Sequence, residues 1–174
     1  MNKFNIFFIR QFLKSIYQYF LKIYIFESYA KIKKFNSKGT SIFYIKSKNK
    51  ILNNKPIKNY FEKDLSKLSR FNKNSKFIGI KLKNKIICSG WIFFGKSWYI
   101  DEINKKIPTK NYYTLYDFFT EKEFRNKGYY KLLLKIIRKK FKKKKLLIYS
   151  TSHNIKSIKA IKKSGFKFVK ELKK

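Results

Sequence analysis

The chain has little of what staples or punctuates a fold. A single cysteine, Cys88, excludes an internal disulfide framework and leaves no thiolate metal cluster to build. Cys88 sits in an apolar run, where a thiol packs as a small hydrophobe. The one histidine, His153, adjoins a helix cap and faces solvent or sits satisfied more readily than it catalyses. Two prolines and 6 glycines in 174 residues give few turn signals, no linker and no repeat. Acidic residues are the scarcest charged class: 9 Asp plus Glu stand against 45 Lys plus Arg, a formal net charge of +36. No long hydrophobic run is free of charge. The longest, residues 4–26, is broken by Arg10, Lys14 and Lys22, which excludes a secretory h-region and penalises a membrane span, although Ser28-Tyr29-Ala30 mimics a cleavage site.

What is present is apolar and aromatic. Hydrophobic residues make up 44% of the chain and aromatics 20%, so the charge does not imply disorder. A chain of this length forms one domain and buries a real core. Lys, Asn, Ile, Phe and Tyr dominate, as an AT-rich coding sequence would produce, so part of the lysine excess carries no functional message. The remaining positive charge favours a polyanion: coenzyme A, acidic phospholipid, a lipid-linked sugar phosphate or nucleic acid. Runs such as Lys142-Lys143-Lys144-Lys145 read as a solvated helix end and loop.

The strongest local pattern is Phe124-Arg125-Asn126-Lys127-Gly128-Tyr129-Tyr130. It follows a strand-like run, Tyr112 to Phe119, and opens a helix ending near Phe141. The first amides of a helix lack intrahelical partners and carry the positive end of the macrodipole, so a phosphate docks there. Gly128 has no Cβ to hold such a ligand away, and Arg125 and Lys127 add charge. Leu146 to Thr151 then reads as a buried strand. Asn154 caps a helix that Gly165-Phe166 closes. The lone Asn cap and the Gly turn have ordinary structural explanations as well.

This order, with Arg-x-x-Gly-x-x across residues 125–130 and Asn154, Ser157, Gly165 and Phe166 in place, resembles the second half of the GCN5-related N-acetyltransferase superfamily. The resemblance covers roughly residues 112–170. It implies an α/β fold with a mixed, mostly antiparallel sheet, whose parallel strands 112–119 and 146–151 splay apart and are joined by a right-handed crossover helix over about 127–141. It implies acetyl-CoA as acyl donor, a primary amine as acceptor, and a pyrophosphate loop formed by Arg125, Asn126, Lys127, Gly128, Tyr129 and Tyr130. A backbone N–H of Phe119 or Thr120 would polarise the thioester carbonyl, and Asn154 would meet the pantetheine arm. Two positions depart from the family pattern. Tyr130 stands where a Gly or Ala is usual, and Ile161 where a Tyr often serves as general acid. For the general base Asp117 is the first choice, with Asp101, Glu102 and a water chain as alternatives. Asp117 can equally be an ion-pair partner.

The resemblance divides the chain into an N-terminal amphipathic helix segment, 1–35, and an acetyltransferase-like domain, 36–174. In residues 4–26 the polar Arg10, Lys14, Gln18 and Lys22 recur every four residues on one face. That helix can pack on the domain, cover a homodimer seam or lie on an anionic membrane. Every cofactor motif lies after residue 112, which marks the helix as the part least required by the cofactor site. Further elements expected are a strand at 41–45, a helix at 57–71, a hairpin of 76–82 with 86–94 that 98–107 continues, and one short strand in 167–174. The family often has one strand more, so either part of the acceptor wall is missing or the N-terminal segment supplies it. Trp91, Trp98, Tyr99, Tyr112, Tyr113 and Tyr116 are candidates for an acceptor cleft, each also a candidate for the core. Two functions stand open: acetyl transfer to an amine, such as an amino sugar of a surface polysaccharide, and a non-catalytic basic module binding RNA or a membrane surface. Either suits a cytoplasmic protein, peripheral on the inner membrane face if the helix docks there.

Overall fold

A computed structural model describes residues 3–28, 40–52, 54–62 and 64–174. The sheet-forming elements are β1 (Ile23–Ser28), β2 (Ser41–Ile45), β3 (Ser75–Leu82), β4 (Lys85–Phe93), β7 (Tyr112–Thr120), β8 (Lys145–Thr151) and β9 (Lys167–Leu172). They form one seven-stranded sheet in the order β2-β3-β4-β7-β8-β1-β9. Between β4 and β7, the strands β5 (Ser97–Ile100) and β6 (Lys105–Pro108) form a separate hairpin, rather than continuing the sheet as expected. The helices are α1 (Lys3–Phe20), α2 (Asn49–Leu52), α3 (Lys55–Glu62), α4 (Tyr129–Lys140) and α5 (Ile155–Lys163). The expected helix at 57–71 is two pieces, α3 and a 3-10 segment, Leu65–Lys73.

The sheet is mixed. β7 and β8 run parallel, from Tyr112 opposite Lys145 to Leu115 opposite Ile148, and pairing stops there. The other strand pairs of the sheet are antiparallel. α4 is the crossover that a parallel pair requires. Beyond Leu115 the two strands separate. The cause lies in β7, where the pairing with β4 shifts between Ser89 and Trp91. Asp117 there takes a left-handed conformation, φ 48°, uncommon for a non-glycine residue and used by some bulges to bend a strand. Gly90 lies under the bulge. A Cβ on it would meet the Phe118 ring at 2.5 Å, so the absence of a side chain lets that ring lie on β4.

One face of the sheet packs under α4 and α5, with Ile78, Ile92, Leu115, Leu134, Ile148 and Ile161 buried together. The opposite face has two covers. Ile57, Phe61 and Phe71 close over Phe77 and Trp91, and the β5–β6 hairpin brings Ile100, Ile103 and Ile107 onto Ile23, Ile25 and Leu147. Ring contacts knit the first of these: Phe61 lies 4.9 Å from Phe77 and Phe71 lies 4.9 Å from Trp91, centroid to centroid.

The N-terminal segment departs most from expectation. The helix read over 4–26 ends at Phe20, and Ile23–Ser28 is an inner strand between β8 and β9. Ile23, Ile25 and Phe26 are fully buried. Lys22 continues the four-residue spacing of the helix by coincidence; its Nζ instead reaches Glu171 on β9, at 3.6 Å. Of the two alternatives for the missing strand, the structure has the second: the N-terminal segment is in the sheet. Of Ser28-Tyr29-Ala30, only Ser28 is among the described residues, and it is buried in β1. The boundary drawn at residues 35 and 36 also lies outside the described residues.

Arg138 on α4 locks this strand in place. Its guanidinium donates to Ser28 Oγ and, at 2.6 Å, to the Ser164 carbonyl at the end of α5. Both serines are buried. Arg138→Met should therefore lower the unfolding free energy by about 2 to 4 kcal/mol, because two buried polar groups lose their partner. A urea titration with an unchanged slope and a lower midpoint would show it; an unchanged midpoint would mean that other groups satisfy both serines.

Candidate active site

The separation of β7 and β8 opens a cleft of about 720 Å³. Its walls are the far half of β7, the loop into α4, the end of β8 and the start of α5. Of the ten site residues expected from the sequence, the cleft is lined by Asp117, Phe119, Thr120, Arg125, Asn126, Gly128, Tyr129, Tyr130 and Asn154. Lys127 is the exception. Its ammonium lies over the Phe124 ring, 5.6 Å from the centroid, so it is no part of the wall.

The loop turns through two left-handed residues, Asn126 at φ 62° and Gly128 at φ 82°. Such alternation turns successive amides toward one side and makes an anion-binding concavity. Gly128 is the N-cap of α4 and supplies no side-chain cap; the first bond of the helix is Leu132 N–H to the Gly128 carbonyl, 2.9 Å. The amides of Tyr129, Tyr130 and Lys131 thus start the helix without intrahelical acceptors. A Cβ built on Gly128 would meet no heavy atom within 4 Å. The glycine therefore borders open space into which a ligand can come close to the backbone. Tyr130, despite its size, leaves that space clear. Its ring packs on Phe118 at 5.3 Å, and its hydroxyl lies 3.4 Å from Ser157 Oγ on α5. Burial pushes its phenol pKa upward, so it stays protonated.

Across the cleft, Asn154 caps α5, its side chain accepting from Ser157 N–H at 3.1 Å. On β7, hydrogen-bond phase separates the two amides that the sequence left equivalent. Glu121 N–H donates to the Ile87 carbonyl of β4 at 3.0 Å. Successive residues of a strand alternate direction, so Phe119 also faces β4 while Thr120 turns its N–H and C=O toward the cleft. Arg125 confirms the direction, donating Nε–H to the Thr120 carbonyl at 3.0 Å.

Asp117 is paired. The Arg70 guanidinium, from the 3-10 segment, holds its carboxylate and lies 5.6 Å from the Trp91 ring centroid and 5.8 Å from that of Tyr116. Arg70 stands 47 residues earlier in the chain, and no motif marks it. Tyr116 donates to Ser75 Oγ at 2.9 Å, and burial raises its pKa. The acceptor candidates divide. Tyr116 lines the cleft, Trp91 is 1% exposed in the core, Trp98, Tyr112 and Tyr113 pack against core clusters, and Tyr99 lies on a groove facing α1. Two lining residues, Tyr149 and Glu102, complete that end; the sequence offered Glu102 only as an alternative and gave no signal for Tyr149. Burial first, then the negative charge of Glu102, raises the Tyr149 pKa. Cys88 is buried, its pKa pushed up to about 12 by burial, and Thr120 donates to its sulfur at 3.3 Å; it is a core thiol. Among the described residues no cluster of His, Cys, Asp or Glu can hold a metal ion.

The splayed parallel pair thus carries an anion-binding turn at one lip and a capped helix at the other. The chain belongs to the acetyltransferase (GNAT) family, whose family model matches residues 23–166. That match begins at β1, the strand expected to be part of a separate helix. Among solved structures, a protein described as a GNAT-family acetyltransferase from Novosphingobium aromaticivorans superposes with TM-score 0.57 at 12% identity, covering 87% of this chain and 61% of that one. A GNAT-family acetyltransferase from Colwellia psychrerythraea gives 0.53 at 14% identity, covering 87% and 53%. An aminoglycoside acetyltransferase from an uncultured soil metagenomic sample, in complex with trehalose, gives 0.52 at 11% identity, covering 74% and 89%. This chain thus spans 61% and 53% of the length of the first two. At such identities the likeness is one of fold. No curated protein matches the sequence.

Proposed function

We propose that this chain transfers an acetyl group from acetyl-CoA to a primary amine on a small polar acceptor, with an amino sugar the best fit. The observation that supports it most is the convergence on one cleft of the loop at 125–130, the Thr120 amide and the α5 cap. The residues present fit the donor: open space beside Gly128 and the free amides of Tyr129 to Lys131 suit a pyrophosphate, and Asn154 and Ser157 stand where an amide-bearing arm would pass. Acetyl-CoA would bring an activated thioester; the chain holds and orients it.

Thr120 N–H is the donor available to an oxygen on which negative charge develops. The Tyr130 hydroxyl, kept protonated by burial, lines the cleft beside Ser157, while Ile161 is buried in the core and has no proton to give. A departing thiol of pKa near 8.5 needs little help in any case. At the acceptor end, Glu102 and Asp117 attract an ammonium, while Tyr116 and Tyr149 offer rings to the apolar face of a sugar. The Arg70 guanidinium engages one oxygen of the Asp117 carboxylate, Oδ2, and we assign Asp117 a binding role rather than that of the base. Its work is to hold the incoming amine, and water removes the proton.

Coenzyme A release with glucosamine and with a linear alkylamine tests this directly. Glucosamine should support saturable turnover at lower KM; release that no amine stimulates would end the reading. Asp117→Asn should raise KM for the amine severalfold with kcat within tenfold. A kcat loss of about 10²–10⁴ at unchanged KM, the mark of a lost general base, would instead make Asp117 the base.

A further inference from the structure

α1 is amphipathic in the wrong sense for a helix that packs on its own domain. Gln11, Lys14, Ser15 and Gln18 lie on one arc of the helix and line a groove against Tyr99 and Asp101, with Gln18 Nε2 donating to the Asp101 carbonyl at 3.3 Å. The opposite arc holds Ile9, Phe12, Leu13, Ile16 and Phe20, which are 50%, 66%, 58%, 41% and 71% exposed. One residue further, Leu21 is 1% exposed. On the polar arc Gln18 meets the protein, while the apolar arc lies open to solvent, unlike a core-facing helix. An exposed apolar stripe of this extent marks a docking surface.

From this we infer that α1 is an interfacial helix seating the chain on an anionic bilayer surface. Two observations choose this occupant over a second copy. The charged residues of α1 are Lys3, Arg10 and Lys14, all basic, and the whole chain carries +36. Pairing two chains through α1 brings two strongly like-charged molecules together, whereas an anionic bilayer supplies both an apolar medium and the opposite charge. Spanning is excluded for α1, since no described helix is long and apolar enough to cross. Tyr17 stacks on His153 with centroids 6.2 Å apart. His153 and Asp101 directly precede the cleft-lining Asn154 and Glu102, so a docked α1 sets the cleft mouth beside the headgroups.

Co-sedimentation with phosphatidylcholine vesicles, and with an equal mixture of phosphatidylcholine and phosphatidylglycerol, tests the inference on the full chain. The wild type should bind only the mixed vesicles. Phe12→Gln/Leu13→Gln/Ile16→Gln keeps every charge and should lower the partition coefficient at least tenfold at about 0.15 M salt, where the Debye length is roughly 8 Å. Its thermal melt should match the wild type, because the replaced side chains are exposed. If that variant fails to fold, Ile9→Gln/Phe20→Gln takes its place and should lower partitioning at least threefold. Equal partitioning of a folded variant and wild type would overturn the inference, placing vesicle binding in general basic charge. So would absence of binding to mixed vesicles, and so would a wild-type dimer by light scattering that the variant dissolves.

Discussion

Removal of residues 1–28 should leave a chain that no longer folds, while removal of residues 1–20 should leave one that folds and still binds acetyl-CoA. The difference is β1. Ile23, Ile25 and Phe26 are 0%, 1% and 0% exposed, and burying three such side chains is worth about 5 to 9 kcal/mol. A domain of this kind has only about 5 to 15 kcal/mol in total. The strand also pairs with β8 on one side and β9 on the other, so its loss opens two edges at once. α1, by contrast, makes few contacts with the body, chiefly Gln18 on Asp101 and Tyr17 on His153. Circular dichroism melts of the two truncations decide the matter. A cooperative melt of the shorter chain within a few degrees of the full-length protein would show that the sheet closes without β1.

The second large effect is expected at the loop. Gly128→Val should weaken acetyl-CoA binding at least tenfold in isothermal titration while the sheet and its core persist. Two causes act together. The valine side chain enters the open space beside the Gly128 backbone, and one or two charge-assisted hydrogen bonds of about 1.5 to 3 kcal/mol each are lost; about 1.4 kcal/mol is already tenfold. The φ of 82° also disfavours any side chain there, above all a β-branched one. A folded variant with unchanged affinity would remove the loop from the binding argument and leave the cleft to be explained by its other wall.

The membrane and transfer readings meet at α1. If the helix docks, the residue 1–20 truncation should keep turnover on a soluble amine and lose vesicle binding. Loss of both together would tie the helix to the cleft itself, through the Tyr17–His153 contact.

Local chemistry carried the C-terminal half of this protein. A strand, an arginine, a left-handed glycine at a helix start, and an Asn cap are each set by neighbours in sequence, because φ, ψ and capping bonds reach only a few residues. The loop at 125–130, α4, β8 and α5 were therefore legible, and the parallel pairing was implied by the family resemblance that these elements carry. Tertiary structure alone decided three things. Ile23-Tyr24-Ile25-Phe26 suits a buried strand as well as a helix end, and only the gap between β8 and β9 selects the strand. Phe119 and Thr120 are equivalent until the register against β4 turns one amide away and the other toward the cleft. Asp117 reads equally as a base or as an ion-pair partner until the fold brings up Arg70, which nothing in the intervening sequence announces. In each case the deciding partner lies far along the chain, and long-range pairing leaves no local mark.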